Sequence, residues 1–348
     1  MNLNVVSIYS GGGGIDIGFK AAGYQILFAT DYLQSACDTL KLNNGANKIV
    51  CDDIRNIRFT ELNIADLDVL VGGPPCPAYS KSRFYLKSKK RALEDENSYT
   101  LMEYFRAVEE LKPKVFFFEN VNGFVFKPHI EAFNFLIRRS NEMGYKLSYK
   151  VVNSADYGIP QIRQRFVCIG TRKDIPIFNF PLPTHSKKGN QKNLKPWATC
   201  KEVIGDLDYP MPDDFKMKAG SKHHDLLKLI PEGENYLFLT EKKGYSDPKF
   251  KWRSRYWSFL LKLSKDKPSW TIQASQSNNM GPFHWNNRFL RIEEIKRIQT
   301  FPDKYKFEGD YKMQWRQIGN AVPPKLSEFF AIEIKHQIFK DKTYTRHN

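Results

Sequence analysis

The sequence predicts an α/β fold built on a mostly parallel sheet flanked by helices, followed by a smaller and less regular region. Apolar stretches of strand length alternate with helix-like segments through residues 1–172. A run of four glycines, Gly11–Gly14, separates the first strand-like stretch from the first helix-like segment. After residue 172 this periodicity is lost, and Lys, Asn, Pro, Trp and Tyr become frequent. Alternating strands and helices are typical of parallel sheets that bind ligands at the carboxyl ends of their strands.

The individual elements follow from short apolar runs and from apolar residues spaced three or four positions apart. We predict strands over residues 5–9, 26–30, 68–71, 115–118, 148–153 and 166–170, and a further strand that ends near Asp53. We predict helices over residues 35–43, 100–111, 130–143, 291–299 and 323–339, and one after the glycine run. Gly23 is typical of a helix end, and Pro323 of the start of the last helix.

The composition is that of a globular protein. Hydrophobic residues make up 41% of the 348 residues and aromatic residues 14%, which excludes a disordered chain. The apolar runs have the length of strands rather than of membrane spans, and the N-terminus lacks the pattern of a secretory signal. The five cysteines are widely spaced and form no CxxC pair, so we expect no metal site, and we expect free thiols in the cytoplasm.

The net charge favours a polyanionic partner. Lys and Arg total 54 and Asp and Glu total 38, which leaves a net charge of +16. Residues 81–98 form a basic segment, and residues 249–262 interleave basic and aromatic side chains. Such patterns favour contacts with nucleic-acid phosphates, although a soluble basic protein can carry the same charge.

The glycine run and nearby strand ends indicate a site for an adenosyl-containing small molecule. Glycine permits positive φ and a close approach of the backbone to a ligand. The run lacks the Lys-Ser/Thr pair of a phosphate-binding loop. Asp31 can accept hydrogen bonds from ribose hydroxyls, Tyr32 offers a flat face to an adenine, and Asp53-Ile54 ends the third predicted strand. Taken singly, each piece is also explained by a turn or by a capping acid.

Three further positions carry reactive or charged groups. Cys76 lies between two prolines directly after a predicted strand, so a rigid loop presents one thiol. Glu119 follows a very apolar strand, where burial would raise the pKa of its carboxyl and let it hold a proton. Arg163 and Arg165 alternate on an extended segment and therefore share one face, which suits a carbonyl oxygen or a phosphate. The alternatives are a buried thiol, a capping acid and a solvated strand edge.

In their order along the chain, these pieces resemble the motifs of the DNA cytosine-5 methyltransferases of bacterial restriction–modification systems. The resemblance extends over nearly the whole chain. The matching segments are Tyr9–Gly14, Pro75–Pro77 with Ser80, Glu119–Val121, Gln161 with Arg163 and Arg165, Arg288–Asp303, and Gly319–Val322. The departures are Ser7 where Asp is frequent, Tyr9 where Phe is usual, Asp31 where Glu is more common, and Pro77 where Gln is common.

The resemblance implies an enzyme with a Rossmann-like methyltransferase fold. It would transfer a methyl group from S-adenosyl-L-methionine to C5 of cytosine and release S-adenosyl-L-homocysteine. The Cys76 thiolate would add to C6, and Glu119 would protonate or hydrogen-bond N3 and the amino group. Arg165, together with Arg163, would hold O2 and a phosphate. The residues implied in cofactor binding are Tyr9, Ser10, Gly11, Gly13, Gly14, Asp31, Tyr32, Asp53, Ile54, Gly73, Pro75, Asn320 and Ala321.

The resemblance also implies double-stranded DNA as the partner. C6 of a paired cytosine lies inside the stack, so the nucleotide must leave the double helix before a thiol can reach it. Residues 77–98 would close over the extruded base. The residues implied in DNA binding are Ser80, Ser82, Arg253, Arg255, Tyr256 and Thr271, and Trp257 is a further candidate. The alternative for Trp252 and Trp257 is that they form the small core of this region. We expect a monomer that acts on nucleoid DNA in a bacterial cytoplasm. The resemblance leaves open whether the same system contains a cognate restriction endonuclease, and it implies no direct contact with one.

The resemblance also divides the chain into four parts. They are a catalytic and cofactor domain over residues 1–172, a target-recognition domain over 173–288, a hinge over 289–314, and a C-terminal helix over 315–348 that returns to the catalytic domain. Two alternatives stay open: a tRNA cytosine-5 methyltransferase of the same family, and a catalytically silent DNA-binding relative. Methyl incorporation into duplex DNA or into tRNA distinguishes the first, and the intact Cys76, Glu119 and Arg165 argue against the second.

Overall fold

A seven-stranded sheet forms the centre of the molecule. The structure, a computed structural model, describes residues 3–75, 99–189 and 193–340. The strands of the sheet are β1 (Asn4–Ile8), β2 (Gln25–Asp31), β3 (Lys48–Cys51), β4 (Val69–Gly72), β5 (Val115–Val121), β6 (Tyr145–Asn153) and, after the short β7 (Gln161–Ile162), β8 (Gln164–Arg172). Their order across the sheet is β3-β2-β1-β4-β5-β8-β6.

The sheet is parallel except at one side. Strands β1 to β5 run parallel to their neighbours in this group, whereas β8 pairs antiparallel with both β5 and β6. The predicted mostly parallel sheet is therefore confirmed. The strand order reverses between β1 and β4, and ligands of such sheets bind outside the carboxyl ends of the strands at the reversal. The glycine run after β1 and residues 73–75 after β4 both lie at this point.

Helices cover both faces of the sheet. The helices are α1 (Gly14–Ala21), α2 (Gln34–Leu42), α3 (Tyr99–Leu111), α4 (Ile130–Glu142), α5 (Cys200–Ile204), α6 (His224–Leu229), α7 (Ile292–Ile298), α8 (Tyr311–Asn320) and α9 (Pro324–Gln337). In β5, Val115 and Phe117 pack into the apolar cluster that contains α1 and α9, whereas Phe116 and Phe118 pack into the cluster that contains α3 and α4. Because both faces are buried, this strand is apolar at consecutive positions.

The region after β8 is built from short elements. Its strands are β9 (His185–Ser186), β10 (Lys195–Pro196) and β11 (Ser269–Trp270). One apolar cluster contains Tyr236, Leu239 and Phe259, and another joins Cys200 and Ile272 to α7 and α8. This agrees with the smaller irregular region expected from the sequence, while the exact domain limits stay a prediction. No helix in the described part of the chain has the length and apolar character needed to cross a membrane.

Two elements differ from the expectation. Strand β5 continues to Val121, so Glu119 and Asn120 lie within the strand rather than after it, paired with β8 in antiparallel register. Helix α8 was not predicted, and Gly319-Asn320 is its C-terminal end rather than part of a turn. The apolar stripe of α8 is short, with Tyr311, Trp315 and Ile318, and its other buried residues are Gln317 and Gly319, so the pattern that reveals a helix in a sequence is weak.

Helices α1 and α9 cross in close contact at Gly18. A β-carbon added to Gly18 would lie 2.4 Å from the backbone nitrogen of Glu328 and 2.5 Å from the carbonyl oxygen of Pro324. At the start of α1, a β-carbon on Gly14 would lie 2.2 Å from the carbonyl oxygen of Val322. These two glycines therefore set how closely the glycine run and the segment before α9 approach each other.

Replacement of Gly18 by alanine is expected to destabilise the fold by roughly 1–3 kcal/mol, because the new methyl group meets backbone atoms that cannot rotate away. The loss should occur although alanine has the higher helix propensity. Gly205→Ala is the matched control, since Gly205 has a φ of −64° and a β-carbon there would meet only the flexible side chain of Lys201, at 3.3 Å. Urea unfolding measures both variants, and equal stability of the two would contradict the close crossing.

Candidate active site

The backbone that leads to Cys76 passes directly beside Glu119. A β-carbon on Gly73 would lie 2.9 Å from Oε2 of Glu119, so a glycine is needed for the chain to pass this carboxyl closely. The side-chain amide of Asn120 donates to the carbonyl oxygen of Pro74 at 3.3 Å. Two consecutive residues of β5 therefore contact the segment that follows β4.

Pro75 is held from the other side. The hydroxyl of Thr100, at the start of α3, donates to the carbonyl oxygen of Pro75 at 3.3 Å. The carbonyl oxygen of Thr100 accepts a hydrogen bond from the hydroxyl of Tyr9 at 2.8 Å. The tyrosine hydroxyl is thus engaged within the protein at a position where the resemblance leads one to expect phenylalanine. The predicted site residues Cys76, Ser80 and Ser82 lie outside the described residues.

Glu119 forms a buried ion pair with Arg165. Nε of Arg165 lies 3.0 Å from Oε1 of Glu119, and the two side chains are 14% and 11% exposed. Arg165 pairs with Val121 across the sheet, so the ion pair is a diagonal contact between β8 and β5. Burial raises the pKa of Glu119, while the charges of Arg165 and Arg163 and a hydrogen bond from Arg165 oppose the rise. A carboxyl in these surroundings can hold a proton and can also stay partnered when ionised.

Arg163 bonds to the backbone of distant segments. Its side chain is buried, with 1% of the residue exposed. Nη1 donates to the carbonyl oxygen of Ile272 at 3.0 Å, and Nη2 donates to those of Gly319 and Ala321 at 2.8 and 3.0 Å. This placement differs from the predicted contact with the target base, because backbone carbonyls already engage these donors. The two Nη groups of Arg163 therefore position these segments, and the contact of Arg163 with the target base stays a prediction.

Two glutamines complete this connection. Oε1 of Gln161 accepts a hydrogen bond from the backbone of Ile272 at 3.0 Å, and Nε2 donates to the side chain of Gln299. Nε2 of Gln299 donates in turn to the carbonyl oxygen of Ala321 at 3.0 Å. Sequence reasoning missed Gln299, and its only signal was a place within the matched segment 288–303.

The turn after β1 closes onto Asp31, the last residue of β2. Oδ2 of Asp31 accepts from the backbone of Gly11 at 2.8 Å, and Oδ1 accepts from the backbone of Leu33 at 3.0 Å. Burial raises the pKa of Asp31, and these backbone hydrogen bonds oppose the rise. A carboxylate oxygen can accept more than one hydrogen bond, so Asp31 keeps acceptor capacity for ribose hydroxyls.

The surroundings of Gly11 fit an adenosyl ligand. Gly11 has a φ of +52°, and no atom lies within 4 Å of the point where its β-carbon would stand. On the inner side, a β-carbon on Gly13 would meet the hydroxyl of Tyr305 at 2.6 Å, so the turn is open on one side and supported on the other. Tyr32 is 58% exposed beside Asp31 and can offer its ring to an adenine.

The remaining predicted cofactor residues lie around this turn. Asp53 caps the short helical turn Ile54–Asn56 and pairs with Arg55 at 2.6 Å, and a hydrogen bond from Arg55 is the main cause that lowers the pKa of Asp53. Ile54 is buried. At the end of α8, Asn320 is exposed and Ala321 is half-buried. These residues surround the turn, and their contacts with the cofactor stay a prediction.

The basic and aromatic segment exposes its side chains on a loop whose backbone is fixed. We define residues 251–257 as the recognition loop. Its exposed predicted or candidate DNA-binding residues are Arg253, Arg255, Tyr256 and Trp257. The hydroxyl of Tyr236 donates to the carbonyl oxygen of Arg255 at 2.7 Å, and Asn235 donates to the carbonyl oxygen of Trp257 at 2.7 Å. Tyr236 and Asn235 are each 1% exposed, so two buried side chains hold the loop from inside.

Two other candidates in this region take structural positions. Trp252 is half-buried against an apolar cluster, with the ammonium of Lys242 4.8 Å from its ring centroid, which agrees with the core alternative for this residue. Trp257 instead is 53% exposed. The hydroxyl of Thr271 donates to the carbonyl oxygen of Ile162 at 2.8 Å. Because its proton is engaged there, Thr271 links the region to β7 rather than offering that proton to a phosphate.

The described residues offer no candidate metal centre, and their buried cysteines are not ready nucleophiles. In residues 3–75, 99–189 and 193–340, no group of His, Cys, Asp or Glu side chains is arranged to hold a metal ion. Cys37, Cys168 and Cys200 are buried, and burial raises the pKa of each thiol above its ordinary value. A raised pKa keeps these three thiols protonated and unreactive.

A comparison with family models decides which family the chain belongs to. The model of the C-5 cytosine-specific DNA methylases matches residues 3–336, a range that contains all of the contacts described above. The chain belongs to this family. Its methyltransferases use S-adenosyl-L-methionine as the methyl donor, and the glycine run, Asp31 and Tyr32 fit such a ligand.

Sequence relatives of the methyltransferase are type II enzymes. It is 36% identical over 369 residues to the type II methyltransferase M.SacI of Streptomyces achromogenes, and the match covers 97% of this chain and 93% of the relative. It is 33% identical to the type II methyltransferase M.MthTI of Methanothermobacter thermautotrophicus, over 97% of this chain and 98% of the relative. Type II methyltransferases belong to restriction–modification systems, so these relatives favour DNA over the RNA alternative.

A solved structure confirms the fold of the methyltransferase. A candidate DNA modification methyltransferase encoded within an E. coli prophage superposes with a TM-score of 0.70 at 21% sequence identity. The match covers 98% of this chain and 100% of that chain. The expected sheet with flanking helices and a smaller second region is therefore an arrangement that solved proteins share.

Replacement of Arg163 by methionine is expected to lower the free energy of unfolding by about 2–4 kcal/mol, because buried carbonyl oxygens lose a charged donor. Arg172→Met is the matched control: Arg172 is the last residue of β8, the strand that begins directly after Arg163, and its side chain is 35% exposed. Urea unfolding followed by tryptophan fluorescence checks the difference. A variant as stable as the control but unable to methylate would instead support the predicted contact between Arg163 and the base.

Proposed function

We propose that the methyltransferase modifies a cytosine within a specific double-stranded sequence, with Cys76 as the nucleophile and Glu119 and Arg165 as its partners on the base. The observation that carries the proposal is the contact of Gly73 and Pro74 with β5 beside the Glu119–Arg165 ion pair. The chain continues from this contact to Cys76 within two residues. The proposal therefore assigns a thiol, a carboxyl and a guanidinium to one end of the sheet.

The roles follow from what each group can do. The Cys76 thiolate adds to C6 of cytosine, which places electron density on C5 and N3. Glu119, whose pKa burial raises, donates or shares a proton at N3 as this density develops. Arg165 holds O2 of the base and keeps Glu119 partnered when that carboxyl is ionised. The bound cofactor supplies an electrophilic methyl group. A base then removes the C5 proton, and the sulfur leaves C6.

The thiol can reach C6 only if the nucleotide leaves the stack. Loss of pairing and stacking costs a few kcal/mol, in the range of ~2–4, which contacts with the phosphates must offset. The net charge of +16 supports such contacts. Binding is therefore expected to weaken steeply with salt, because each neutralised phosphate releases counterions.

Target recognition is assigned in this proposal to the recognition loop. Arg253 and Arg255 carry guanidiniums that can donate to O6 and N7 of guanine in the major groove. Tyr256 and Trp257 add exposed aromatic surface next to them. Because Tyr236 and Asn235 fix the loop backbone, little conformational freedom is lost when DNA binds.

The biological setting is part of the same proposal. The type II names of the relatives support a role in a restriction–modification system, in which a cognate endonuclease would cleave the unmodified sequence. All residues proposed for the reaction belong to one chain, which supports a monomeric enzyme. We place it in the cytoplasm of a bacterium, on nucleoid DNA.

Bisulfite sequencing of DNA from cells that express the enzyme is expected to show 5-methylcytosine in one sequence context. A duplex with 5-fluorocytosine at that position should then form a denaturant-resistant adduct in the presence of the cofactor, because the fluorine blocks the final proton removal. Cys76→Ser is the control and should bind the duplex without forming an adduct. Methylation by Cys76→Ser, or an adduct formed without Cys76, would contradict the assignment of the nucleophile.

Replacement of Arg255 by alanine is expected to reduce discrimination between the target and single-base variants by roughly 1–3 kcal/mol, if its guanidinium reads a guanine as proposed. Methylation rates on a panel of duplexes measure this preference. Arg138→Ala is the matched control, since Arg138 is a surface arginine of α4 with 68% side-chain exposure. An unchanged preference in Arg255→Ala would remove this residue from target recognition.

A further inference from the structure

A buried carboxyl beside the glycine run has no part in the function proposed above. Asp16 lies in the first turn of α1 and is 2% exposed. The hydroxyl of Ser7, in β1, donates to Oδ1 of Asp16. Oδ2 is also buried and has no hydrogen-bond partner among the described residues. A buried carboxylate oxygen without a donor is unfavourable, so its presence at a binding turn needs an explanation.

The hydrogen bonds around Asp16 fix the direction of a second hydroxyl. The hydroxyl oxygens of Ser7 and Ser10 lie 2.8 Å apart. A serine hydroxyl carries one proton, and Ser7 gives its proton to Asp16. The hydrogen bond between the two serines therefore requires Ser10 to be the donor. The proton of Ser10 is thereby engaged with Ser7, and a lone pair of the Ser10 oxygen is left to accept a hydrogen bond from a further group.

Ser10 is placed where a ligand can use that lone pair. It is half-buried and directly precedes Gly11, beside which the space is open. An oxygen that offers only a lone pair binds hydrogen-bond donors and cations and disfavours acceptors. S-adenosyl-L-methionine carries two cationic groups, the sulfonium and the α-ammonium.

We propose that Asp16 is a positioning residue for the cofactor, which acts through Ser10 to make the glycine turn selective for a cationic group of S-adenosyl-L-methionine. The inference rests on the placement of the cofactor at this turn and on the hydroxyl chain from Ser10 through Ser7 to Asp16. Ser7 occupies a position at which other members of the family frequently have Asp. In this chain the neighbouring helix supplies a carboxyl to Ser7, so the turn keeps an acidic group by a different route.

The charge of Asp16 depends on pH in the neutral range. Burial raises the pKa of Asp16 to about 7; the hydroxyls of Ser7 and Ser10 oppose the rise, and the charge of Asp31 adds to it. Tyr305 also faces Asp16, from the segment before α8, and its hydroxyl donates to the carbonyl oxygen of Gly12. A nearby bound cation favours the ionised carboxylate. Cofactor affinity should therefore be full above this pKa and should fall as the pH is lowered through it.

The test compares three ligands of the wild-type protein by calorimetry at pH 8 and pH 6. S-adenosyl-L-methionine has both cations, S-adenosyl-L-homocysteine has only the ammonium, and 5′-methylthioadenosine has neither. We expect the affinity for S-adenosyl-L-methionine to fall by up to about tenfold between pH 8 and pH 6, with proton release on binding, and that for 5′-methylthioadenosine to stay constant. A parallel fall for S-adenosyl-L-homocysteine assigns the ammonium, and its absence assigns the sulfonium.

The variant Asp16→Asn distinguishes the effect of Asp16 from the ionisation of the ligand, because the ligand ionises in the same way whether wild-type protein or variant is present. The variant should lose the pH-dependent difference between the charged ligands and 5′-methylthioadenosine. Asp38→Asn, at an exposed acid of α2, is the control and should keep it. A fall that persists in Asp16→Asn, or an equal fall for all three ligands, would overturn the role of Asp16. Failure of every ligand to bind the wild-type protein would overturn the location of the cofactor as well. The wild-type proton release stands as a test even if the variant does not fold.

Discussion

The buried guanidinium of Arg163 is the interaction on which the arrangement of the site depends. Arg163 lies between β7 and β8, and its donors join this point to two segments that are far away in the chain, at Ile272 and at Gly319–Ala321. The same segments also pack directly, since a β-carbon on Gly319 would lie 2.4 Å from the carbonyl oxygen of Gln273. A planar cation with several donors can satisfy carbonyls from different directions at once. The region that contains the recognition loop and the end of α8 are thus held in fixed positions relative to Arg165.

Much of the fold could be predicted because the sheet is buried on both faces. Strands such as β4 and β5 are then short apolar runs, which a sequence displays directly. The length of β5 could not be predicted, because Glu119 and Asn120 are polar and only antiparallel pairing with β8 keeps them in the strand. Helix α8 was missed for a related reason, since its buried face includes Gln317 and Gly319.

The residues of the candidate site also fall into those that the sequence could predict and those that it could not. Glu119 and Arg165 could be proposed from the sequence, because their chemistry and their order along the chain are characteristic. The role of Arg163 could not, because its partners are backbone carbonyls more than a hundred residues away, and backbone atoms leave no trace in residue types. Asp16 was overlooked because an acid in the first turn of a helix ordinarily needs no explanation beyond the helix dipole. Its burial against Ser7 is a long-range property of the folded chain.

The recognition loop is fastened through its own backbone. Tyr236 and Asn235 bond to carbonyl oxygens, which every amino acid provides, and not to the side chains that the loop exposes. The outward positions can therefore be exchanged during evolution while the path of the loop is preserved. Under the role proposed for this loop, a lineage of such enzymes can acquire a new preferred sequence through a few surface substitutions, and the folding of the chain need not change with it.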